Sequence, residues 1–321
     1  MSKVSCCLGI DTSNYKTSVA IVSCSGQIIC NLQQYLKVKK GERGLRQSDA
    51  LFQHVMNLPS LIEEAYDALS QGYSVEAVSV STKPRPVEGS YMPVFNGGIA
   101  VARSIAAAGN LPLIETSHQE GHIEAVKYYS KMRDLSKLIS FHFSGGTTEA
   151  LLVDETSEYC KIEIIGGTKD IAFGQVLDRA GVALGMEFPC GEEMDNMPEI
   201  EIPASGNLLP KIKIVEDGYI NLSGIETKIQ RLIEGGKVDK EHLVAMIFER
   251  IAEAIAEMCK KLSKKYMIND FLFAGGVSSS KRIRRKLEYK LKGLNIEFGE
   301  AKLSTDNAVG VALLGGQEIW H

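Results

Sequence analysis

Three β-rich runs spaced along the chain constrain its fold most, because each ends in a small or glycine-rich polar turn. The runs are CCLGIDTSNYKTSVAIV (6–22), LISFHFSGGTTEALLV (138–153) and DFLFAGGVSSSKRIRRKL (270–287). The first two have the pattern of β-hairpins, whereas the third predicts a strand followed by a helix. Glycine adds no Cβ and tolerates positive φ, so such turns let backbone N–H groups approach an anion. One Gly-Gly turn more often has no ligand, but three similar turns favour anion binding.

Helical patterns between these runs predict an α/β protein. Apolar residues recur at three- and four-residue spacing in four segments: 48–69, 97–109, 172–185 and 241–266. Strand groups that alternate with amphipathic helices are typical of α/β folds, and a chain of 321 residues is long enough for two domains or lobes. The polar segment 189–210, which contains Pro and Gly, predicts a long functional loop.

Composition limits the partners that the chain can have. A formal net charge of −4 argues against binding nucleic acid through overall positive charge, so any RNA must be recognised by a local patch. Two basic stretches are candidates, the loop 37–46 and the run 281–292, although a solvated Lys/Arg-rich face is an ordinary alternative. The apolar start VSCCLGI is too short for a signal peptide or a membrane span, which predicts a cytoplasmic protein with no membrane partner.

The seven cysteines indicate no special chemistry. They are scattered and form no C-x-x-C pair, so neither a disulfide framework nor a cysteine-based zinc site is predicted.

Two histidines four residues apart, His118 and His122, are a candidate metal site. They follow a Thr-Ser pair that could cap a helix, and residues four apart on a helix share a face. Such a pair alone is more often solvated or satisfied in the core than bound to metal. A third ligand therefore decides between the two interpretations.

The same stretch argues against a metallopeptidase. In the H-E-x-x-H motif the general base directly follows the first histidine, but here Gln119 occupies that position. Glu120 lies about 200° around a helix from His118 and points away from the shared face.

The order of motifs along the chain resembles the TsaD/Gcp family of tRNA threonylcarbamoyladenosine synthases, once labelled O-sialoglycoprotein endopeptidases and classed as peptidase M22-like. The matching stretches run in family order from residue 9 to residue 313: GIDTSNYKTSVAIV, HQEGHIEA, FSGGTTEALLV, DIAFGQVLDRAGVALGMEFPCG, NLSGIETKI, AGGVSSSKRIR and STDNAVGVAL. The resemblance implies a two-lobed actin/sugar-kinase/Hsp70-like (ASKHA) fold with a nucleotide cleft between the lobes. It divides the chain into an N-terminal lobe 1–137, onto which 306–321 packs back, and a C-terminal lobe 138–305.

The resemblance also implies the third metal ligand, Asp306 in TDNA, beside His118 and His122. Two imidazoles and one carboxylate leave open positions and suit one divalent transition metal, iron or zinc, rather than magnesium. No catalytic residue beyond this metal site is predicted.

An adenylate-type substrate is implied as well. By matching to the family, its nucleotide would contact eight residues: His142, Phe143, Ser144, Gly145, Gly146, Asp178, Gly191 and Ser280. Asp178 has an alternative reading as a solvated helical acid beside Arg179.

Several positions depart from the family pattern, and they indicate a divergent paralogue. Thr147 stands where the family has His, and Ser280 where it usually has Asn; Gln175 replaces Glu, Asn14-Tyr15-Lys16 replaces Cys-Asp-Glu, and KPRP (83–86) replaces Gly-Pro-Gly.

The reaction that the resemblance implies is transfer of a threonylcarbamoyl group to N6 of adenosine 37 of tRNA, with TsaB/TsaE-like helper proteins as possible partners. Two alternatives stay open: a metal-dependent carbamoyltransferase acting on a small molecule, and a non-catalytic scaffold paralogue. Retention of all three metal ligands counts against the scaffold.

Overall fold

A computed structural model describes residues 3–13, 15–38, 45–156, 161–203, 206–216, 218–236, 238–300 and 302–320. The chain divides into two compact α/β units, of which unit 1 is Met1–Tyr128 with Thr305–His321 and unit 2 is Tyr129–Ser304. The lobe boundaries expected from the sequence, 1–137, 138–305 and 306–321, stay a prediction.

Unit 1 is a mixed sheet covered by helices. Its elements are β1 (Val4–Asp11), β2 (Lys16–Ser23), β3 (Ile28–Tyr35), α1 (Gln47–Asp67), β4 (Tyr73–Lys83), α2 (Phe95–Gly109), β5 (Leu113–Ser117), α3 (His118–Tyr128) and α9 (Val309–Trp320). Within the described residues the strand order is β3-β2-β1-β4-β5. The first three strands form an antiparallel meander, while β4 and β5 run parallel to β1. The hairpin predicted for 6–22 is confirmed.

Helices pack on both faces of this sheet, which explains why β1 and β2 are apolar on both sides. Leu8 and Ile10 of β1 share a buried cluster with Leu58 of α1 and Ala102 of α2. On the other face α9 lies against Gly9, where a Cβ would come within 2.5 Å of the Ala308 carbonyl oxygen. The middle of β1 therefore needs a residue with no side chain on that face.

The C-terminal helix α9 also meets α3 backbone to backbone. A Cβ on Gly310 would overlap the carbonyl oxygen of Gly121, and a Cβ on Gly121 would lie 2.9 Å from Val311 Cγ2. Farther along, Gln317 Nε2 donates to Glu124 Oε1 at 2.7 Å. Since Asp306 lies just before α9 and the histidines lie on α3, this contact sets the distance between them.

Unit 2 contains a second, larger sheet. Its elements are β6 (Lys137–Phe143), β7 (Thr148–Asp154), β8 (Lys161–Thr168), α4 (Phe173–Ala183), α5 (Gly191–Asn196), β9 (Ile214–Glu216), β10 (Tyr219–Ile220), α6 (Ser223–Gly235), α7 (Lys240–Tyr266), β11 (Asp270–Ala274), a 3-10 turn (Val277–Ser279), α8 (Lys281–Lys290) and β12 (Asn295–Phe298). Among described residues the strand order is β12-β11-β6-β7-β8-β10-β9. The hairpin predicted for 138–153 and the strand-to-helix turn of 270–287 are confirmed.

The four predicted helices are present as α1, α2, α4 and α7, with ends that differ from the expected ones by at most two residues. The interpretation of 189–210 as a loop is corrected in part, because Gly191–Asn196 is helical. Its first turn carries Glu192 and Glu193, whose negative charges suit the positive end of a helix.

We expect Gly310→Ala to destabilise unit 1 by about 1–3 kcal/mol, because the added methyl group forces α9 away from Gly121. Thermal unfolding monitored by circular dichroism measures the effect. Gly72→Ala is the matched control in the same unit, since its Cβ meets nothing closer than 3.9 Å. Equal melting temperatures for the two variants would contradict the close contact between α3 and α9.

Candidate metal centre and nucleotide-binding turns

The start of α3 is fixed by a reciprocal cap. The Glu120 backbone N–H donates to Ser117 Oγ at 3.2 Å, and the Ser117 backbone N–H donates to Glu120 Oε2 at 2.8 Å. This is the capping box expected of an S-x-x-E sequence, and it agrees with the predicted capping role of the Thr-Ser pair. Because the Glu120 carboxylate is occupied by the cap, it is not available as a peptidase base.

The cap places His118 and His122 at the sheet end of α3, where they meet Asp306. The Nε2 atoms of the two histidines are 3.0 Å apart, and Asp306 Oδ1 lies 3.1 Å from His122 Nε2 and 3.7 Å from His118 Nε2. His122 is buried, while the side chains of His118 and Asp306 are 17% and 22% exposed. The structure thus joins all three predicted metal ligands and leaves one side of the group open.

A fourth side chain, Asp11 at the end of β1, is bonded to the ring nitrogen of His118 that is not shared with the other two ligands. Asp11 Oδ2 lies 2.8 Å from His118 Nδ1, and Ser81 Oγ donates to Asp11 Oδ1 at 2.6 Å. An Nδ1–H bond to a buried carboxylate leaves Nε2 as the atom that faces the other two ligands. This carboxylate–histidine arrangement is typical of metal-binding histidines.

Asp11, His118 and His122 shift one another's pKa values. Burial opposes the charged form of His118, but the Asp11 carboxylate outweighs burial and raises the pKa of His118 to about 9. For His122, burial and the neighbouring charge of His118 lower the pKa. Burial of Asp11 favours its neutral form, yet the charge and hydrogen bond of His118 lower its pKa. A metal ion at Nε2 would take the place of the His118 proton.

The donor set fits a divalent transition metal. Its three ligand atoms lie within 4.8 Å of one another. Ligands about 2.1 Å from a tetrahedral ion are about 3.4 Å apart, which is close to the spacings found here. Two histidines and one carboxylate with an open side are a common site for iron or zinc.

Two of the predicted nucleotide-binding turns of unit 2 leave the same end of its sheet. Strands β6 and β11 run parallel with His142 opposite Ala274, so the turns after both strands emerge together. The Gly145 amide has no hydrogen-bond partner among the described residues, and a Cβ on Gly145 or Gly146 would meet nothing within 4 Å. Both glycines are exposed; the Gly146 N–H donates to Ser144 Oγ at 3.3 Å, so the Gly145 N–H is the one accessible to an anion.

Helix α4 begins against this turn. A Cβ on Gly174 would come within 2.5 Å of the Ser144 carbonyl oxygen and of Gly145 Cα, so only glycine permits the approach. The partial positive charge at the start of a helix adds to that of the turn amides. Two departures from the family pattern sit here: the Thr147 N–H donates to Ser144 Oγ, and Gln175 Oε1 accepts the Ala172 N–H at 3.3 Å.

The Asp178 side chain is bonded to the backbone directly before Gly191. Asp178 Oδ1 accepts the Cys190 N–H at 2.9 Å, and burial, partly offset by this bond, raises the pKa of Asp178. The carboxylate is therefore half-buried and structurally engaged, which contradicts the alternative of a simply solvated acid.

Ser280 is engaged as the N-cap of α8. Its Oγ donates to Asp195 Oδ1 at 2.5 Å and accepts the Ile283 N–H at 3.1 Å. Asp195 Oδ2 also accepts the Lys281 N–H at 2.9 Å, so a carboxylate of the chain itself occupies the start of this helix.

Sequence reasoning assigned no role to Asp11 or Asp195. Asp11 could have been found from its position directly after a buried strand, in the first polar turn. Asp195 lies in a stretch read as a loop, and no local pattern links it to a helix 85 residues later.

The basic run 281–292 is largely used in internal contacts. Arg282 bonds to Asp195 and to backbone carbonyls, Arg284 bonds to the carbonyls of Ser278 and Gly299, and Lys286 and Lys290 both pair with Glu249. These contacts favour the structural interpretation of this run over RNA binding.

The other basic stretch, 37–46, lies mostly outside the described residues, which omit 39–44. At its start Lys37 exchanges two backbone hydrogen bonds with the Gln53 side chain of α1.

Solved structures that resemble the chain define its class. Full-length HypF in a phosphate- and nucleotide-bound form has a TM-score of 0.62 at 15% identity, covering all of this chain and 47% of that one. Component A of the (R)-2-hydroxyglutaryl-CoA dehydratase of Acidaminococcus fermentans has a TM-score of 0.57 at 15% identity, covering 98% of both chains. A ROK family glucokinase from Streptomyces griseus, with a TM-score of 0.54 at 13% identity, covers 97% of this chain and 99% of that one. The expected two-lobed α/β fold of the ASKHA class is confirmed.

Within that class the chain belongs to the TsaD family, described as tRNA N6-adenosine threonylcarbamoyltransferase, whose pattern matches residues 28–313. A relative of that name from Geobacillus thermodenitrificans is 28% identical, covering 98% of this chain and 92% of the relative. Another of the same name, from Dictyoglomus turgidum, is 29% identical over 96% of this chain and 92% of the relative. The predicted family membership is confirmed.

None of the helices in the described ranges combines the length and the apolar character that crossing a membrane requires.

We expect His118→Ala and His122→Ala proteins to lose their metal, because each variant leaves only two ligands. Elemental analysis of protein purified without chelator measures the change, with iron or zinc near one ion per chain in the parent. His242→Ala is the matched control, since His242 is half-exposed on α7. Equal metal content in parent and His118→Ala would refute the site.

We expect Gly145→Val to weaken adenine-nucleotide binding by about tenfold or more while leaving the melting temperature unchanged. A side chain at Gly145 has room in the fold but covers the amides that face solvent. Isothermal titration calorimetry measures the affinity, and Gly224→Val, at another open glycine of unit 2, is the control. Unchanged affinity in a folded Gly145→Val protein counts against the turn as a phosphate site.

Proposed function

We propose that this protein transfers a threonylcarbamoyl group from threonylcarbamoyl-AMP to N6 of an adenosine in tRNA, at position 37, as an acyltransferase and not a peptidase. The observation that carries the proposal is the meeting of His118, His122 and Asp306, backed by Asp11, in a chain that belongs to the TsaD family. The names of its relatives supply the reaction.

The metal triad would position the acyl group. His118 and His122 would offer Nε2 lone pairs, and Asp306 a carboxylate oxygen, to one iron or zinc ion. Such an ion, when bound, supplies Lewis-acid polarisation of a carbonyl oxygen. Asp11 keeps the His118 ring in the orientation that this requires, through the bond to Nδ1.

The turn residues would hold the leaving group. Attack by N6 on the carbamoyl carbon breaks the bond to the phosphate oxygen, so negative charge increases on the departing AMP. The Gly145 amide, with the start of α4, would stabilise that charge, because Gly145 is exposed and its N–H is not engaged among the described residues. The family resemblance gives the remaining nucleotide contacts to His142, Phe143, Asp178, Gly191 and Ser280. Of these, the Phe143 side chain is fully buried in the core and the Ser280 hydroxyl is engaged by Asp195, so these two would contribute through their position in the turns and not through a free side chain.

The tRNA would be held by phosphate contacts from a local basic surface, because the overall charge is negative. The run 281–292 is engaged in internal ion pairs, so the loop 37–46 is the better candidate.

Helper proteins of the TsaB/TsaE type would bind through α1. Phe52, Val55 and Met56 are 67%, 48% and 62% exposed and lie on one face of this helix with Pro59. An apolar stripe at this spacing is typical of a helix that packs against a partner.

The cytoplasmic location stays a prediction from sequence.

The test is transfer of radiolabelled threonylcarbamoyl from its adenylate to unmodified tRNA, with and without helper proteins. We expect a Lys39→Ala, Lys40→Ala, Arg43→Ala triple variant to have a raised apparent KM for tRNA and a weaker salt dependence, since about one counterion is released per phosphate contact. Its slow hydrolysis of the adenylate should be unchanged.

Two outcomes would redirect the proposal. Equal tRNA modification by parent and triple variant at every salt concentration would exclude the loop 37–46 as the RNA contact. Consumption of the adenylate or of a carbamoyl donor with no tRNA modification by either protein would favour a small-molecule carbamoyltransferase.

A further inference from the structure

One lysine bonded to the residue before Asp306 is buried and has no carboxylate partner among the described residues. Lys16, at the start of β2, is 6% exposed. Its Nζ donates to Gln33 Oε1 at 3.0 Å and to Thr305 Oγ1 at 2.9 Å. Both acceptors are neutral, and no carboxylate of a described residue lies within ion-pair distance of Lys16.

This arrangement leaves a positive charge uncompensated. A buried ammonium is costly unless it is paired, and its three N–H donors are only in part used by two neutral oxygens. The ring of Tyr35 lies 4.8 Å from Nζ and contributes a cation–π contact. Tyr35 is on the edge strand β3 and is 68% exposed, so its ring can change rotamer without disturbing the core.

The ammonium is held in one place next to the metal ligand. Gln33 Nε2 donates to Asn31 Oδ1 at 3.2 Å, which turns the Gln33 carbonyl toward Lys16. Thr305 precedes Asp306 directly, and the Thr305 carbonyl accepts a hydrogen bond from Asn307 at 2.7 Å. Lys16 is therefore fixed to the segment that carries the third metal ligand.

Charge balance indicates what such a site attracts. Asp306 and Asp11 carry two negative charges, and a divalent ion with Lys16 would supply three positive ones. The loaded centre would thus have a net positive charge, unlike a centre with the Glu that the family pattern has at this position. An anionic group that reaches the open side of the triad would be favoured.

We propose that Lys16 is a specificity-determining residue that binds the carboxylate of the acyl group being transferred. The inference rests on the proposed function, in which the acyl group carries one carboxylate. The adenylate carries two anionic groups, and its phosphate is assigned to the 144–146 turn. The carboxylate of the threonyl moiety is the remaining anion of the substrate.

The test compares two probes by isothermal titration calorimetry on the metal-loaded protein: a nonhydrolysable analogue of threonylcarbamoyl-adenylate, and its methyl ester. The parent should bind the carboxylate form more tightly. Lys16→Met should weaken binding of that form by roughly 10- to 100-fold and leave ester binding unchanged, because a charge-assisted hydrogen bond is lost. Metal content should stay at the parent level.

Lys131→Met is the control, because Lys131 is 91% exposed and its loss changes the net charge equally. Lys16→Gln, which keeps a hydrogen-bond donor without the charge, replaces Lys16→Met if the latter does not fold. Retained preference for the carboxylate in the Lys16 variants overturns the assignment, and the proposed function stands if the parent still modifies tRNA. A parent that binds neither probe and modifies no tRNA overturns both.

Discussion

The contact on which the candidate metal centre depends is the backbone-to-backbone packing of α3 against α9 at Gly121 and Gly310. Neither glycine tolerates a Cβ there, so the two helices lie closer than side chains would allow. The His pair sits on one helix, and Asp306 lies directly before the other. A shift of α9 of even one ångström would separate ligands that are now about 3 to 4 Å apart.

Three side chains at or near the ends of strands in the same unit complete the surroundings of the candidate centre. Asp11 ends β1, Ser81 lies near the end of β4, and Lys16 begins β2, all in one unit with the triad. Because these positions belong to a rigid sheet covered on both faces, their side chains need little reorganisation before binding. Lys16 adds a buried positive charge to this end of the sheet through its bond to Thr305, directly before Asp306.

In unit 2 the predicted nucleotide-binding turns also lie at strand ends. Parallel strands β6 and β11 end side by side, and Gly174 lets α4 begin against the Ser144–Gly146 turn. The start of α8 is different, because Asp195 already occupies it. An amide without a partner among the described residues, that of Gly145, is therefore found at the first turn, to which the family resemblance assigns the phosphate.

The sequence by itself determined what short-range physics controls. Periodic apolar residues predicted four helices, small or glycine-rich polar turns predicted two hairpins, and the four-residue spacing placed His118 and His122 on one face. It could not place Asp306, which follows His122 by 184 residues and entered only through family resemblance. Tertiary structure alone decided that Asp11 supports His118, that Asp195 caps α8 and that Lys16 has no described carboxylate partner. Each of these depends on packing between segments far apart in the chain, which no local pattern encodes.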